Sequence, residues 1–255
     1  MAELAAEAVV RRLRPVLDPC PGAPVRLGLV LLATDLTSER DFRRMLPAGV
    51  DLHVTRVAFA NPTTAANHWA MAGDLERALA LLVPDADLDV LVFGCTSAVV
   101  TLGEGVLAEA VAEGRPGVPL VTPVRAALDG LRRLGARRIA LLGAYTAELT
   151  ADVRDFLERE GLEVTRVGAF DLASDFDMAR LSPDRVFEAA AELDGDDVDA
   201  LFLSCTAMRA AEIAEALEER TGKPVVTSNT ALVWQALRTA SITAPVPGHG
   251  RLLRS

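Results

Sequence analysis

Two short segments, Gly94-Cys95-Thr96-Ser97 and Ser204-Cys205-Thr206-Ala207, constrain the fold of this chain more than any other feature. Each follows a run that reads as a buried strand, over 90–93 in the first case and 200–203 in the second, and each precedes a helical pattern. Both cysteines are thereby placed at the carboxyl ends of strands. In open α/β sheets that edge binds ligands, because turning backbone amides and helix N-termini converge there. The design recurs along the chain. Cys205 lies 110 positions after Cys95, and Tyr145, expected in the loop after a strand over 139–143, lies 110 positions after Asp35, in the loop after a strand over 26–33. Two half-domains built to one plan are the simplest cause.

The intervening pattern fits that plan. Residues 1–14 read as an amphipathic helix ended by Pro15, and Cys20 falls in a turn-rich link with no counterpart in the repeat. After the strand over 26–33 come a polar loop, a helix from near Arg40, a strand over 51–57 and a long helix from Asn61-Pro62-Thr63-Thr64 to about residue 82, with Thr63 or Thr64 as its cap. A helix over 105–113 follows Cys95. A short strand within 117–123 then runs into a helix to about 134 that crosses into the second half. There the order repeats: strand 139–143, helix 148–160, strand 163–167, helix 182–193, the Cys205 strand and loop, and a helix to 221. Residues 223–229 echo 118–124, a helix over 230–240 returns to the first half, and the Pro/Gly-rich tail after Ser241 reads as poorly ordered. Strands alternating with helices at this spacing predict an α/β protein of two pseudo-symmetric, doubly wound, flavodoxin-like parallel-sheet lobes. The expected division is 1–125, completed by 229–255, and 126–228, with the active site in the cleft between the lobes.

Composition narrows the function. With 255 residues, 51% of them hydrophobic, the chain can bury a large core, and a formal net charge of −10 argues against nucleic acid or an anionic membrane as partner. No run approaches the roughly 18 apolar residues of a membrane-spanning helix, and the first residues lack a signal-peptide core. Three cysteines give no disulfide framework and suit a reducing compartment, so a soluble cytoplasmic protein is expected.

A thiol at a helix N-terminus is expected to have a lowered pKa, so that one thiolate attacks or deprotonates a substrate carbon while the opposite thiol donates a proton. A C-x-x-C redox pair is absent. His53, His68 and His249 lie apart in strand, helix and tail and form no metal-ligand cluster. Neither a G-x-G-x-x-G fingerprint nor a phosphate loop occurs, and no cofactor is implied. Arg209 fits either a charge partner for substrate or a solvated helix face, and Trp69 and Trp234 are expected to pack.

The G-C-T-S and S-C-T-A loops, with P-V-V-T-S-N-T-A at 224–231 and L-G-A-R-R-I-A-L-L-G-A-Y at 134–145, resemble the aspartate/glutamate racemase superfamily, and within it the maleate cis-trans isomerase and arylmalonate decarboxylase branch. The segment A-T-D-L-T-S-E-R-D-F at 33–42 is further similar to ectoine-utilisation proteins of that branch. The resemblance covers about residues 26–240. It implies that Cys95 adds as thiolate to a double bond, giving a succinyl-like adduct, and that Cys205 moves the proton on the adjoining carbon. It also implies that Tyr145 hydrogen-bonds a substrate carboxylate. Decarboxylases of the branch keep only the second cysteine, whereas this chain has both, which favours two-sided isomerase or racemase chemistry on a small carboxylic acid. Backbone amides of Thr96, Ser97, Thr206 and Ala207, with the hydroxyls of Thr96, Thr122 and Ser228, are candidates for binding carboxylate oxygens. Helix capping is an equal reading for Thr122, Ser228 and Asn229. Asp35 departs from the asparagine-bearing loop of maleate isomerases. It would face a protonated group, as an acidic residue does in a racemase of the superfamily, or cap the following helix. A malonate-type decarboxylase and a two-lobed binding protein are the competing readings, and members of the family often form homo-oligomers.

Overall fold

The computed structural model describes residues 10–18, 22–84 and 86–255. Within them the first half comprises β1 (Val25–Leu32), α1 (Ser38–Met45), β2 (Val50–Val57), α2 (Ala65–Ala72), α3 (Leu75–Ala80), β3 (Val90–Phe93), α4 (Thr96–Leu102), α5 (Glu104–Gly114) and β4 (Leu120–Val121). Helix α6 (Pro123–Arg133) leads into β5 (Arg138–Tyr145), α7 (Ala147–Arg159), β6 (Glu163–Leu172), α8 (Asp175–Arg180), α9 (Pro183–Glu192), β7 (Ala200–Ser204), α10 (Ala214–Thr221), β8 (Val225–Thr227) and α11 (Ser228–Thr239).

The strands make two four-stranded parallel sheets of identical winding, β2-β1-β3-β4 and β6-β5-β7-β8. In each sheet the chain moves outward from the first strand to the second, then back past the first to the third. That reversal opens a crevice beyond the carboxyl ends of the first and third strands. Asp35 and Cys95 follow β1 and β3, while Tyr145 ends β5 and Cys205 follows β7. The central strands β3 and β7 are buried along their whole length, as expected of parallel strands covered on both faces. The outermost β6 alternates between half-buried and exposed positions. Helices α6 and α11 pack on one another, and α11 also touches β3 and β4 of one sheet and β7 and β8 of the other.

Local chemistry accounts for several boundaries that differ from expectation. The helix foreseen from 61 to 82 is two helices, α2 and α3, interrupted at Gly73-Asp74, and Thr64 caps the first by accepting the Asn67 N–H at 3.3 Å. Behind Cys95 the chain likewise forms two helices, parted at Gly103, whose φ of +82° suits glycine. Strand β6 runs five residues past its expected end and feeds the unforeseen α8. Tyr145 is the last residue of β5 rather than part of the loop after it. Residues 10–18 are not helical; the remainder of the expected N-terminal helix and Cys20 lie outside the described residues.

The tail corrects its expectation most. Leu252 and Leu253 are buried, Val246 N–H donates to Leu253 O at 2.8 Å, and the buried Glu218 carboxylate accepts the Arg251 N–H at 3.0 and 2.9 Å. The tail therefore docks on α6 and α10 despite its proline and glycine content. No helix among the described residues is long and apolar enough to cross a membrane.

Candidate active site

The two cysteine loops are bound to each other. Ser228, the first residue of α11, accepts the Cys205 N–H at 3.1 Å, and its hydroxyl lies 3.0 Å from Thr96 Oγ1. Thr206 Oγ1 donates to Gly94 O at 3.0 Å. Asn229 Nδ2 donates to Thr206 O and to the buried Asp41 carboxylate, and Thr37 Oγ1 donates to Ala207 O at 2.7 Å. Gly94 is required where the Cys95 loop leaves β3, because a Cβ there would stand 2.4 Å from Leu31 Cδ2.

This bracing leaves one pocket beyond the strand ends, walled by Leu32, Asp35, the stretch from Gly94 to Ser97, Tyr145, Asp175, and Cys205 with Thr206 and Ala207. A thiol from each half contributes to the same wall. The cavity that remains is small, about 10 Å³, room for about one water. The site is thus held shut, and a small acid enters only if the wall parts. Beside the pocket the two halves are joined by further bonds: Thr34 Oγ1 donates to Asp175 Oδ2 at 2.5 Å, Asp175 N–H to Asn61 Oδ1 at 3.0 Å, and Thr63 N–H to Ala173 O at 2.7 Å.

Of the residues singled out from the sequence, Asp35, Cys95, Thr96, Ser97, Tyr145, Cys205, Thr206 and Ala207 meet in this wall. Thr122 does not; its hydroxyl donates to Glu104 Oε1 at 3.0 Å in a separate groove beside Arg125. Ser228 stands behind the wall, joining the two loops. Asp35 accepts the Thr37 and Ser38 N–H groups at 3.0 and 2.8 Å and the Ser38 hydroxyl at 2.7 Å, so its carboxylate binds the start of α1 while one side borders the pocket. Tyr145, also buried, pairs its hydroxyl with Ser204. Arg209 pairs with Glu212 away from the wall, and Trp69 is half exposed whereas Trp234 is buried.

Sequence reasoning did not bring out Asp175, and it weighed His68 only as a metal ligand. Asp175 opens α8 just past a strand that was read too short, and the polar run Ser174-Asp175 was the available signal. His68, fully buried, lies with Nε2 3.5 Å from Ser97 Oγ, which is 3.6 Å from Cys95 Sγ; Nδ1 is 3.1 Å from Thr101 Oγ1, and Phe59 stacks on the ring. Burial pulls its pKa down to about 4, so the imidazole is neutral. Among the described residues no group of three or more His, Cys, Asp or Glu is placed to hold a metal ion.

The electrostatics reverse one expectation. Burial, reinforced by the Asp175 charge, pushes the Cys95 thiol up to about 12, against the hydrogen bonds of Ser97 and the Ala98 N–H. Cys205 is likewise held well above the ordinary thiol range by burial and then Asp175, although the Ala207 and Met208 N–H groups favour its thiolate. In the shut pocket desolvation outweighs the amides, and both sulfurs carry protons. Asp35 and Asp175 are both raised from the usual carboxylate range, chiefly by burial.

A family model described as arylmalonate decarboxylase matches residues 104–253. A maleate isomerase of Nocardia farcinica (strain IFM 10152) is 32% identical over 241 residues, spanning 90% of this chain and 95% of that protein. Among solved structures, the maleate isomerase Iso of Pseudomonas putida S16, a cysteine-to-alanine variant with maleate, superposes with a TM-score of 0.83 at 27% identity, covering 90% of this chain and 97% of that one. A cysteine-to-serine mutant of the Nocardia farcinica maleate cis-trans isomerase, with a covalently bound succinylcysteine intermediate, gives 0.82 at 30% identity, covering 90% and 98%.

Proposed function

The chain belongs to the arylmalonate decarboxylase family, and from that premise we propose that it is a cofactor-independent isomerase that works a small carboxylic acid between two thiols. The observation that carries this reading is the pair Cys95 and Cys205, one from each half, in a single closed pocket with Tyr145. Cys95 loses its proton to water while the cleft is open. For an unsaturated acid, its sulfur then forms a bond to one alkene carbon as the π electrons move toward the carbon bearing the carboxylate. Cys205 Sγ–H protonates that second carbon, the new single bond rotates, and Cys205 takes the proton back as the carbon–sulfur bond breaks. For a saturated acid with a stereocentre, one sulfur removes the proton and the other returns one to the opposite face. In both cases the negative charge passes through an enediolate. Tyr145 and the loop amides of Thr96, Ser97, Thr206 and Ala207 supply donors for it.

Two free thiols, Cys95 and Cys205, suit the reducing cytoplasm, where we place this chemistry. The likeness of residues 33–42 to ectoine-utilisation proteins makes that metabolism its proposed setting. The test is peptide-mapped mass spectrometry of Cys205→Ser after exposure to unsaturated small acids such as maleate. An adduct of the acid on Cys95 is expected. Carbon dioxide release from an arylmalonate by Cys95→Ala, with no adduct in Cys205→Ser, would instead assign the chain to decarboxylation.

A further inference from the structure

The two thiols stand in pseudo-equivalent places, yet the side chains behind them have diverged. His68 on α2 and Met178 on α8 are 110 positions apart, as are Ser97 and Ala207 and the two cysteines themselves. In the first half the sulfur meets a run of polar groups: Ser97 Oγ is 3.6 Å from Cys95 Sγ, His68 Nε2 is 3.5 Å from that hydroxyl, and Thr101 Oγ1 is 3.1 Å from Nδ1 across the ring. In the second half the same two places hold Ala207, whose methyl group donates nothing, and Met178, whose thioether sulfur is 3.6 Å from Cys205 Sγ. A thioether accepts a hydrogen bond and cannot give one, so it suits an S–H group, whereas a hydroxyl can turn its hydrogen toward a sulfur anion. His68 and Met178 are both fully buried, and an imidazole costs more to bury than a thioether unless its nitrogens are used. Burial keeps the ring neutral, with one N–H and one acceptor nitrogen. Cys95, Ser97, Thr101 and His68 all belong to one half, where α2 packs on α4. Their run therefore survives when the two halves move apart.

We propose that His68 is a positioning residue that fits Cys95, and not Cys205, to exist as the thiolate. In the Nε2–H tautomer, held by the Thr101 hydroxyl donating to Nδ1, the ring donates to Ser97 Oγ. The single hydrogen of that hydroxyl is then left for the Cys95 sulfur. No proton travels along this run; Cys95 gives its own to water, and Ser97 stabilises the anion that remains. Cys205, backed by a thioether and a methyl group, keeps its hydrogen and acts first as the acid. This rests on the two-thiol reading and gives the physical reason for the order in which its thiols act.

The test follows alkylation of each cysteine by iodoacetamide against pH, with the two sites read separately by peptide mapping, so that Cys205 reports any change of access common to both. His68→Leu is expected to raise the midpoint of the Cys95 profile by about one pH unit and to leave that of Cys205 within about half a unit of its native value. His68→Gln, which keeps an N–H donor in the place of Nε2, is expected to hold the Cys95 midpoint close to the native one. Ser97→Ala is expected to raise it as His68→Leu does, and the double variant no further. The other titratable groups facing Cys95, Asp35 from its own half and Tyr145, Asp175 and Cys205 from the other, are the same in every variant. A role in packing alone changes the rates alike at every pH and moves no midpoint. An unmoved Cys95 midpoint in His68→Leu or Ser97→Ala, an equal shift at Cys205, or a shift in His68→Gln as large as in His68→Leu overturns the proposal. Ser97→Ala and His68→Gln decide it if His68→Leu does not fold. No substrate is needed, so failure here leaves the Cys95 adduct expected of Cys205→Ser standing, and absence of that adduct leaves the midpoints standing.

Discussion

His68 is held neutral by full burial against Phe59, and folding therefore excludes its charged form. Its folded pKa of about 4 lies below the ordinary 6.5, so the stability linked to it is complete above 6.5 and is lost as the pH falls through 4, a difference of about 3 kcal/mol. His68→Gln is predicted to show a shallower fall in Tm than the native protein between those pH values; parallel curves in thermal denaturation would refute this. Ser228→Ala leaves the buried Cys205 N–H without its acceptor, and a loss of about 1–3 kcal/mol in chemical denaturation is expected. The placement of Cys95 and Cys205 just past strand ends was legible in the sequence, because the strand and loop recur 110 residues apart. Asp175 was not, since its position depends on where an edge strand stops.

At the scale of elements, continuous apolar runs such as β3 and β7 announce themselves, and their flanking loops follow. Breaks inside helical patterns are harder to see: the periodicity of residues 61–82 persists across Gly73-Asp74, where only the tertiary path separates α2 from α3. The half-exposed alternation of β6 hid its last five residues for a related reason, because an edge strand lacks the unbroken hydrophobicity of a central one. The tail was misread from its prolines and glycines, although Leu252-Leu253 marks the part that docks. Leu252 packs on Gly130 of α6, and Glu218 depends on the Arg251 N–H. Deletion of residues 243–255 is predicted to uncover the apolar surface that the two leucines now cover and leave Glu218 short of donors, costing about 4 kcal/mol and lowering Tm by roughly 10 °C. A truncated chain melting within about 2 °C of the full one would show that the tail is dispensable.

Over the whole molecule, two sheets of the same winding set their ligand-binding edges against each other, and the pocket between them is nearly filled. This plan was readable from the 110-residue spacing, whereas its closed state was not, because closure depends on polar contacts between loops distant in sequence. Thr34 on Asp175 and Thr63 on Ala173 join the two halves beside the pocket. If the halves part there to admit an acid, the Thr63 amide is predicted to exchange with solvent deuterium faster than the amides of β5 and β7, and to slow when a ligand saturates the site. Exchange as slow as in those strands without ligand would mean that the halves do not part there. The central claim, that a sulfur from each half acts on one bound molecule, is tested most directly by following stereoisomer interconversion of unsaturated diacids and amino acids by the native protein, Cys95→Ser and Cys205→Ser. Conversion of at least one acid by the native protein, reduced about a thousandfold or more in each variant, is the predicted result; undiminished conversion in either variant would contradict it.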